Sequence, residues 1–241
     1  MSRVILCLQF HESDKATAMR LARFITDIEP VKRDDVEICF VARYDCEHDE
    51  ETERYCAEKF NVSRFKTTTK WNGWPAGPNA CVVDTLQWMA RRVNSGQSPD
   101  INALILIEPD CVPVHTNWIN ILMAEWKKAQ ERDTWMMGAW RASGGDVGHI
   151  NGNCVLRPNF SSFVDLKCIT QDLAWDCGIA LQVHKHWWPT YQIKNRFDSR
   201  NATEKDIFTP DHGTAPPCLV HGYKDDSAYN IARRLLLECA L

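Results

Sequence analysis

Two acids close the most apolar stretch of the chain. ALILIEPD spans residues 103–110 and ends with Glu108 and Asp110 on either side of Pro109. A short apolar run of this kind reads as a buried strand. Residues two apart in a strand point the same way, so both carboxylates can face one site. Two hard oxygen ligands suit Mg²⁺ or Mn²⁺, which completes its shell with phosphate oxygens and water. The same acids could also cap a strand in a solvated turn.

Other residue types offer less chemistry. In HKHWWP (184–189), His184 and His186 are two apart and would diverge on a helix, so a zinc site is expected there only if the segment is extended. The chain has eleven cysteines, with no CxxC pair among them. Several, such as Cys7 and Cys39, sit in apolar runs, where a thiol packs as a small hydrophobe. That pattern points to reduced cysteines rather than a disulfide framework or a structural zinc. Neither a GxSxG elbow nor a Walker A loop is present.

The elements that must position Glu108 and Asp110 alternate through the first half. Strands are expected at 4–10, 36–42, 62–67 and 103–110. Helices are expected at 13–28, with Ser13 as N-cap, and at 50–60, 80–94 and 116–131. KWNGWPAGPN (70–79) reads as a loop before the third helix. Beyond residue 134 the alternation weakens. Strands are expected at 135–140, 153–157 and 218–223, helices at 173–185 and 227–237, and a long polar loop at 195–217. The pattern predicts an α/β fold with a mostly parallel sheet, helices on both faces and a single domain over 1–241.

This arrangement resembles the GT-A (Rossmann-like) glycosyltransferase fold, whose mid-chain strand ends in a metal-holding DxD motif. Glu108 replaces the first acid of that motif, a departure that keeps a carboxylate. The resemblance covers most of the chain as short motifs rather than continuous identity. In GPNACVVDTLQWM (77–89), it implies that Gly77 and Asn79 approach a donor nucleotide, with Lys70, Trp71 and Trp74 flanking the loop. Asn79 also reads as a helix cap. In HINGNCVLR (149–157), it implies that Asn151, Gly152 and Asn153 meet the sugar and acceptor. In VHGYKDD (220–226), it implies that His221 is a further metal ligand and Lys224 meets the diphosphate. AWDCG (174–178) offers Asp176 as the base that deprotonates the acceptor, with Trp175 beside it and Asp172 as competitor. A first-turn helix acid, or a retaining enzyme with no such base, are the rival readings. Strand ends supply Tyr44 and Asp45 for nucleobase and ribose, near His11, Glu12 and Arg43.

The resemblance implies a metal-dependent glycosyltransferase that moves a sugar from a UDP- or GDP-sugar to a hydroxyl. Residues 1–113 would bind the donor and 114–241 the acceptor, which could be a saccharide, a glycoprotein or a hydroxymethylated DNA base. Arg141, Arg157, Lys185, Lys194, Arg196 and Arg200 could face DNA, or could merely solvate a surface. The formal net charge of −4 argues against a strongly basic nucleic-acid coat. Nucleotidyl transfer and a non-catalytic nucleotide-sugar-binding module are the alternatives. HESDKAT (11–17) lacks the glycines and the basic character expected for nucleotidyl transfer. The apolar N-terminal run is too short for a signal peptide and no stretch reads as a membrane span, so a cytoplasmic protein is expected, in the host cytoplasm if viral.

Overall fold

Strands β1 (Arg3–Phe10), β2 (Arg33–Ala42), β3 (Phe60–Lys66) and β4 (Ile101–Ile107) lie side by side in parallel, in the order β3-β2-β1-β4. The computed structural model describes residues 3–96, 100–142, 148–211 and 215–238. Alternate residues explain why these strands are nearly all apolar. Leu6 and Leu8 of β1 pack into one core, and Ile5 and Cys7 into another on the opposite face. The same split divides Ile105 and Ile107 from Leu104 and Leu106 on β4. A sheet buried on both faces needs apolar side chains in both directions.

Helices α1 (Lys15–Ile28) and α4 (Trp118–Gln130) supply the first core, and α3 (Ala76–Asn94) the second. A short α2 (Glu50–Cys56) joins β2 to β3. The two-residue strand β5 (Val112–Pro113) follows directly after the acids. β6 (Met136–Arg141), β7 (His149–Leu156) and β8 (Trp187–Pro189) then extend the sheet beyond β4 to seven strands, in the order β4-β7-β6-β8. β7 runs antiparallel to β4, so its first residues lie at the end of the sheet where β4 delivers Glu108. A second sheet, β5-β10-β9, joins β9 (Ile193–Ser199) and β10 (Leu219–Tyr223).

The sequence reading needs four corrections. α3 begins at Ala76 rather than residue 80, because Pro78 is tolerated in a first helical turn. Asn79 is therefore inside the helix, its N–H bonded to Pro75 O, and does not cap it. α1 starts after Asp14, whose carboxylate accepts the His11 N–H, so Ser13 is not its cap. The expected helix at 173–185 is two single turns, α5 (Trp175–Gly178) and α6 (Ala180–Val183). The expected loop at 195–217 contains most of β9 and helix α7 (Glu204–Phe208). β9 is half-exposed and so lacks a long apolar run, while α7 is a short helix started by a Thr203–Asp206 capping box.

Helix α8 (Ser227–Arg233) closes the described fold against the first core. Among the described residues no helix is long and apolar enough to cross a membrane. The cysteines among them are all free, and most are buried.

Candidate functional site

The acids and the late histidine converge. β4 ends at Ile107, and the next three residues turn Glu108 and Asp110 toward β10. His221 Nε2 lies 2.8 Å from Glu108 Oε2 and 3.2 Å from Asp110 Oδ1. Lys224 Nζ lies 2.7 Å from Asp110 Oδ2. The ligand atoms of Glu108, Asp110 and His221 all fall within 4.8 Å of one another.

Local backbone chemistry holds this group in place. Gly222 has φ +95°, and a Cβ there would sit 1.3 Å from the Arg196 carbonyl oxygen. Only glycine fits that position, and it sets the twist that delivers His221 on one side and Lys224 on the other. The His221 Nδ1 is 2.8 Å from Asn195 Oδ1 on β9. Asn153 on β7 is fully buried and clamps the acidic turn: its Oδ1 accepts the Glu108 N–H at 2.8 Å and the Cys111 thiol at 2.9 Å. Asn151 Oδ1 in turn accepts both the backbone N–H and an amide N–H of Asn153, each at 3.1 Å.

Charge is balanced tightly here. Burial works against an ionised Asp110, yet hydrogen bonds and charges from His221 and Lys224 outweigh it and hold the carboxyl down to about 2. Glu108 is lowered in the same way, against burial, by His221. Burial disfavours a charged His221, but Asp110 and Glu108 raise it to about 9. Two ionised carboxylates and an imidazole form a donor set suited to a hard or borderline divalent cation. The set fits one further requirement: a cation bound here would displace the Nε2 proton that the raised His221 otherwise holds, while Nδ1 would keep its proton, donated to Asn195.

A cavity of about 380 Å³ opens over these groups. Glu108, Asp110 and Lys224 form part of its wall, as do Gln9, His11 and Asp14 from the end of β1. Arg43 and Gly77 line the side toward β2 and α3, and Trp74, 77% exposed, stands at its rim. Arg20, Asp226 and Tyr229 complete the far side, where Arg20 pairs with Asp226 at 2.6 Å. Open parallel sheets bind ligands beyond the carboxyl ends of their strands, which is where this cavity lies.

Asp176 stands next to this group but outside the cavity wall. It is 8% exposed. One carboxylate oxygen accepts the Cys177 N–H at 2.9 Å, and the group also accepts the Gly152 N–H. Its other oxygen lies 3.8 Å from His149 Nε2. Burial pushes the Asp176 carboxyl above its ordinary value, despite the opposing charge of His149.

Several residues expected at the site do other work. Asn79 is buried, and its side chain bridges helix α3 to the 170–175 loop through Thr170 O, Leu173 O and the Trp175 N–H, at 2.6, 2.8 and 3.0 Å. No polar atom of it is left facing a donor. Trp175 is buried against Gly152, so its ring packs in the second core. Tyr44, Asp45 and Lys70 lie outside the cavity wall: Asp45 pairs with Arg43 at 2.6 Å, the Tyr44 hydroxyl accepts from Asn72 at 2.7 Å, and Lys70 is exposed. Asp172 is also exposed.

Two positioning residues escaped the sequence reading. Asn195 lies in what read as a loop, so nothing marked it as a partner for His221. Asp84 is a buried acid inside α3, and its carboxylate binds the backbone N–H and hydroxyl of both Thr68 and Thr69. It fixes the loop that carries Trp71 and Trp74. A lone acid amid VVDTL was the available signal.

No protein-family model and no curated protein matches the chain. Solved structures do. A galactosyltransferase, LgtC, in complex with donor and acceptor sugar analogs, superposes with TM-score 0.57 and 10% identity over 98% of this chain and 96% of its own. Mouse xyloside xylosyltransferase 1 in its apo form gives TM-score 0.52 and 11% identity over 92% of this chain and 98% of its own. The glycosyltransferase GlyE of Streptococcus pneumoniae gives TM-score 0.52 and 8% identity, covering all of this chain (100%) and 61% of its own. The chain therefore has the GT-A glycosyltransferase fold.

Proposed function

We propose that the chain is a metal-dependent glycosyltransferase that moves a sugar from a nucleoside-diphosphate donor to a hydroxyl acceptor. One observation carries this reading: Glu108, Asp110 and His221 converge within 4.8 Å beside a cavity at the carboxyl end of a parallel sheet. The fold it shares with sugar transferases supports the reaction class.

In this reading Glu108, Asp110 and His221 hold Mn²⁺ or Mg²⁺. A divalent cation there would neutralise charge growing on the leaving diphosphate. Lys224, 2.7 Å from Asp110, adds a second positive charge at the same edge. Arg43 and Trp74 offer a cation and a ring face to a nucleotide of the UDP or GDP type. Asp176 takes the proton from the acceptor hydroxyl as that oxygen bonds to the sugar carbon. The sugar–phosphate bond breaks, and its electron pair stays on the diphosphate. The raised Asp176 carboxyl binds a proton more tightly than an ordinary carboxylate does, which strengthens it as a base.

A melting screen with UDP-, GDP- and CMP-sugars, each with and without Mn²⁺, tests the donor site. A ligand at 100 times its dissociation constant stabilises the folded state by about 2.7 kcal/mol. One nucleotide class should raise Tm, and Mn²⁺ should enlarge the rise. A flat response to every nucleotide would discard the reading.

A further inference from the structure

Beside the His149–Asp176–Cys177 group, Arg141 meets no carboxylate among the described residues. Arg141 is the last residue of β6 and is half-buried. Its partner across the ladder is His149, whose Nε2 lies 3.8 Å from Asp176. Its charge also reaches the thiol of Cys177. The guanidinium lies 5.1 Å from the centre of the Phe197 ring, and Phe197 is 76% exposed.

Three other basic residues of this half behave differently. Arg157 pairs with Asp133 at 3.0 Å and Arg196 with Asp211 at 2.8 Å. Lys194 is buried and bonded to Thr209 O and Asp211. Among the described residues no carboxylate comes within ion-pair distance of Arg141. A half-buried guanidinium has given up part of its hydration, and here only an aromatic face answers it. Its planar fork binds carboxylate or phosphate in a bidentate way. The exposed ring beside it supplies a flat apolar face against which a sugar ring can lie.

The geometry points to an acceptor saccharide that carries an anionic group, a carboxylate or a phosphate, gripped by Arg141 and stacked on Phe197 while its hydroxyl reaches Asp176. The inference rests on the reading of Asp176 as the acceptor's base. It deepens that reading by naming the acceptor's charge. Nucleic acid is the poorer fit. Tracking a phosphate backbone needs several free cations; of the six basic residues singled out in the sequence, Arg157, Lys194 and Arg196 are neutralised within the chain, which leaves Arg141 and the exposed Lys185 and Arg200.

Calorimetric titration in the presence of UDP and Mn²⁺ tests this, with methyl glucoside, methyl glucuronide and glucose 6-phosphate as probes. Duplex and single-stranded DNA oligonucleotides form a separate arm. At least one anionic sugar should bind about tenfold or more tighter than the neutral one, the size of a charge-assisted hydrogen bond. Which anion prevails identifies the acceptor's group. Arg141→Gln should erase the preference, Arg141→Lys should keep part of it, and Phe197→Ala should weaken all three sugars alike. No preference in the unaltered protein overturns the inference, as does a preference that survives Arg141→Gln. Tighter binding of a DNA oligonucleotide that depends on Arg141 overturns it too. The UDP–Mn²⁺ melting shift, measured on the same samples, separates two failures. Its absence, with GDP and CMP also tested in place of UDP, removes the donor reading itself. Its presence without an anion preference removes only the acceptor assignment, and in Arg141→Gln it shows that the variant is folded.

Discussion

The Glu108–Asp110–His221 group and the His149–Asp176–Cys177 group each bring three metal-capable donor atoms within 4.8 Å, at the same end of the sheet. They differ in how charge is answered. In the first, two carboxylates face His221 and Lys224 at 2.7 to 3.2 Å and stay ionised against burial. In the second, a single carboxylate leans on two backbone N–H groups, the imidazole stands off at 3.8 Å, and burial prevails. Residue types alone do not decide which buried carboxylate stays ionised. The number of positive partners within hydrogen-bond reach does.

The sharpest way to break this comparison is to strip the first group. Glu108→Ala with Asp110→Ala should lower turnover by at least about 100-fold, the size of losing a principal electrostatic contact in a transition state. The Mn²⁺-dependent part of the nucleotide melting shift should vanish with it. A Mn²⁺ effect that persists in this variant would move the cation to the other group.

Asp176→Asn probes the second group by the opposite split. Turnover should fall by about 10²–10⁴-fold, the range for loss of a general base. The nucleotide–Mn²⁺ shift should remain, since Asp176 lies outside the cavity wall. Single-turnover rates beside melting curves make the distinction. Lost Mn²⁺ binding with intact chemistry would reverse the two assignments.

Asn153 joins the two groups and should give a smaller, mixed result. Asn153→Ala leaves the Glu108 N–H without its acceptor, at a cost of about 1–3 kcal/mol. Because that bond orients a proposed metal-holding turn, Mn²⁺ affinity should drop by about 10-fold or more. Denaturant melts and Mn²⁺ titration report the two effects separately. An unchanged Mn²⁺ affinity would make Asn153 a fold residue only.

The same contrast governs how much could be read from the sequence. β1, β2 and β4 were plain because strands buried on both faces must be apolar throughout, and Glu108 and Asp110 stood out by breaking such a run. The second half hides its logic. β9 is half-exposed and its Asn195 serves His221 from another strand, which no local period records. Asn79 read as a helix cap that also meets a donor nucleotide, and Asn153 as an amide suited to hydroxyls. Both are instead buried ties between segments: Asn79 joins residues 94 positions away and Asn153 reaches a turn 45 positions away. A single sequence shows that an amide is present, not which backbone it satisfies.

The smallest effect expected is a pH trend in stability, and its sign follows from the raised Asp176 carboxyl. The folded chain holds that proton more tightly than the unfolded one. Between the ordinary carboxylate pKa, about 3.9, and the higher folded value, the native state therefore binds more protons. Stability from this group is complete below the ordinary value and is lost as pH rises through the folded value. Asn at this position keeps the shape without the charge. The melting temperature of Asp176→Asn should thus match the unaltered protein below the ordinary carboxylate value and exceed it as pH rises through the folded value, by about 2–4 °C for each kcal/mol of relief. His149 works against the trend by favouring the ionised carboxyl. Adding His149→Gln to the otherwise unaltered chain should steepen the loss at high pH. If Asp176→Asn instead loses stability as pH rises, the carboxylate is better paired in the fold than its 3.8 Å separation from His149 implies, and the second group holds charge as the first does.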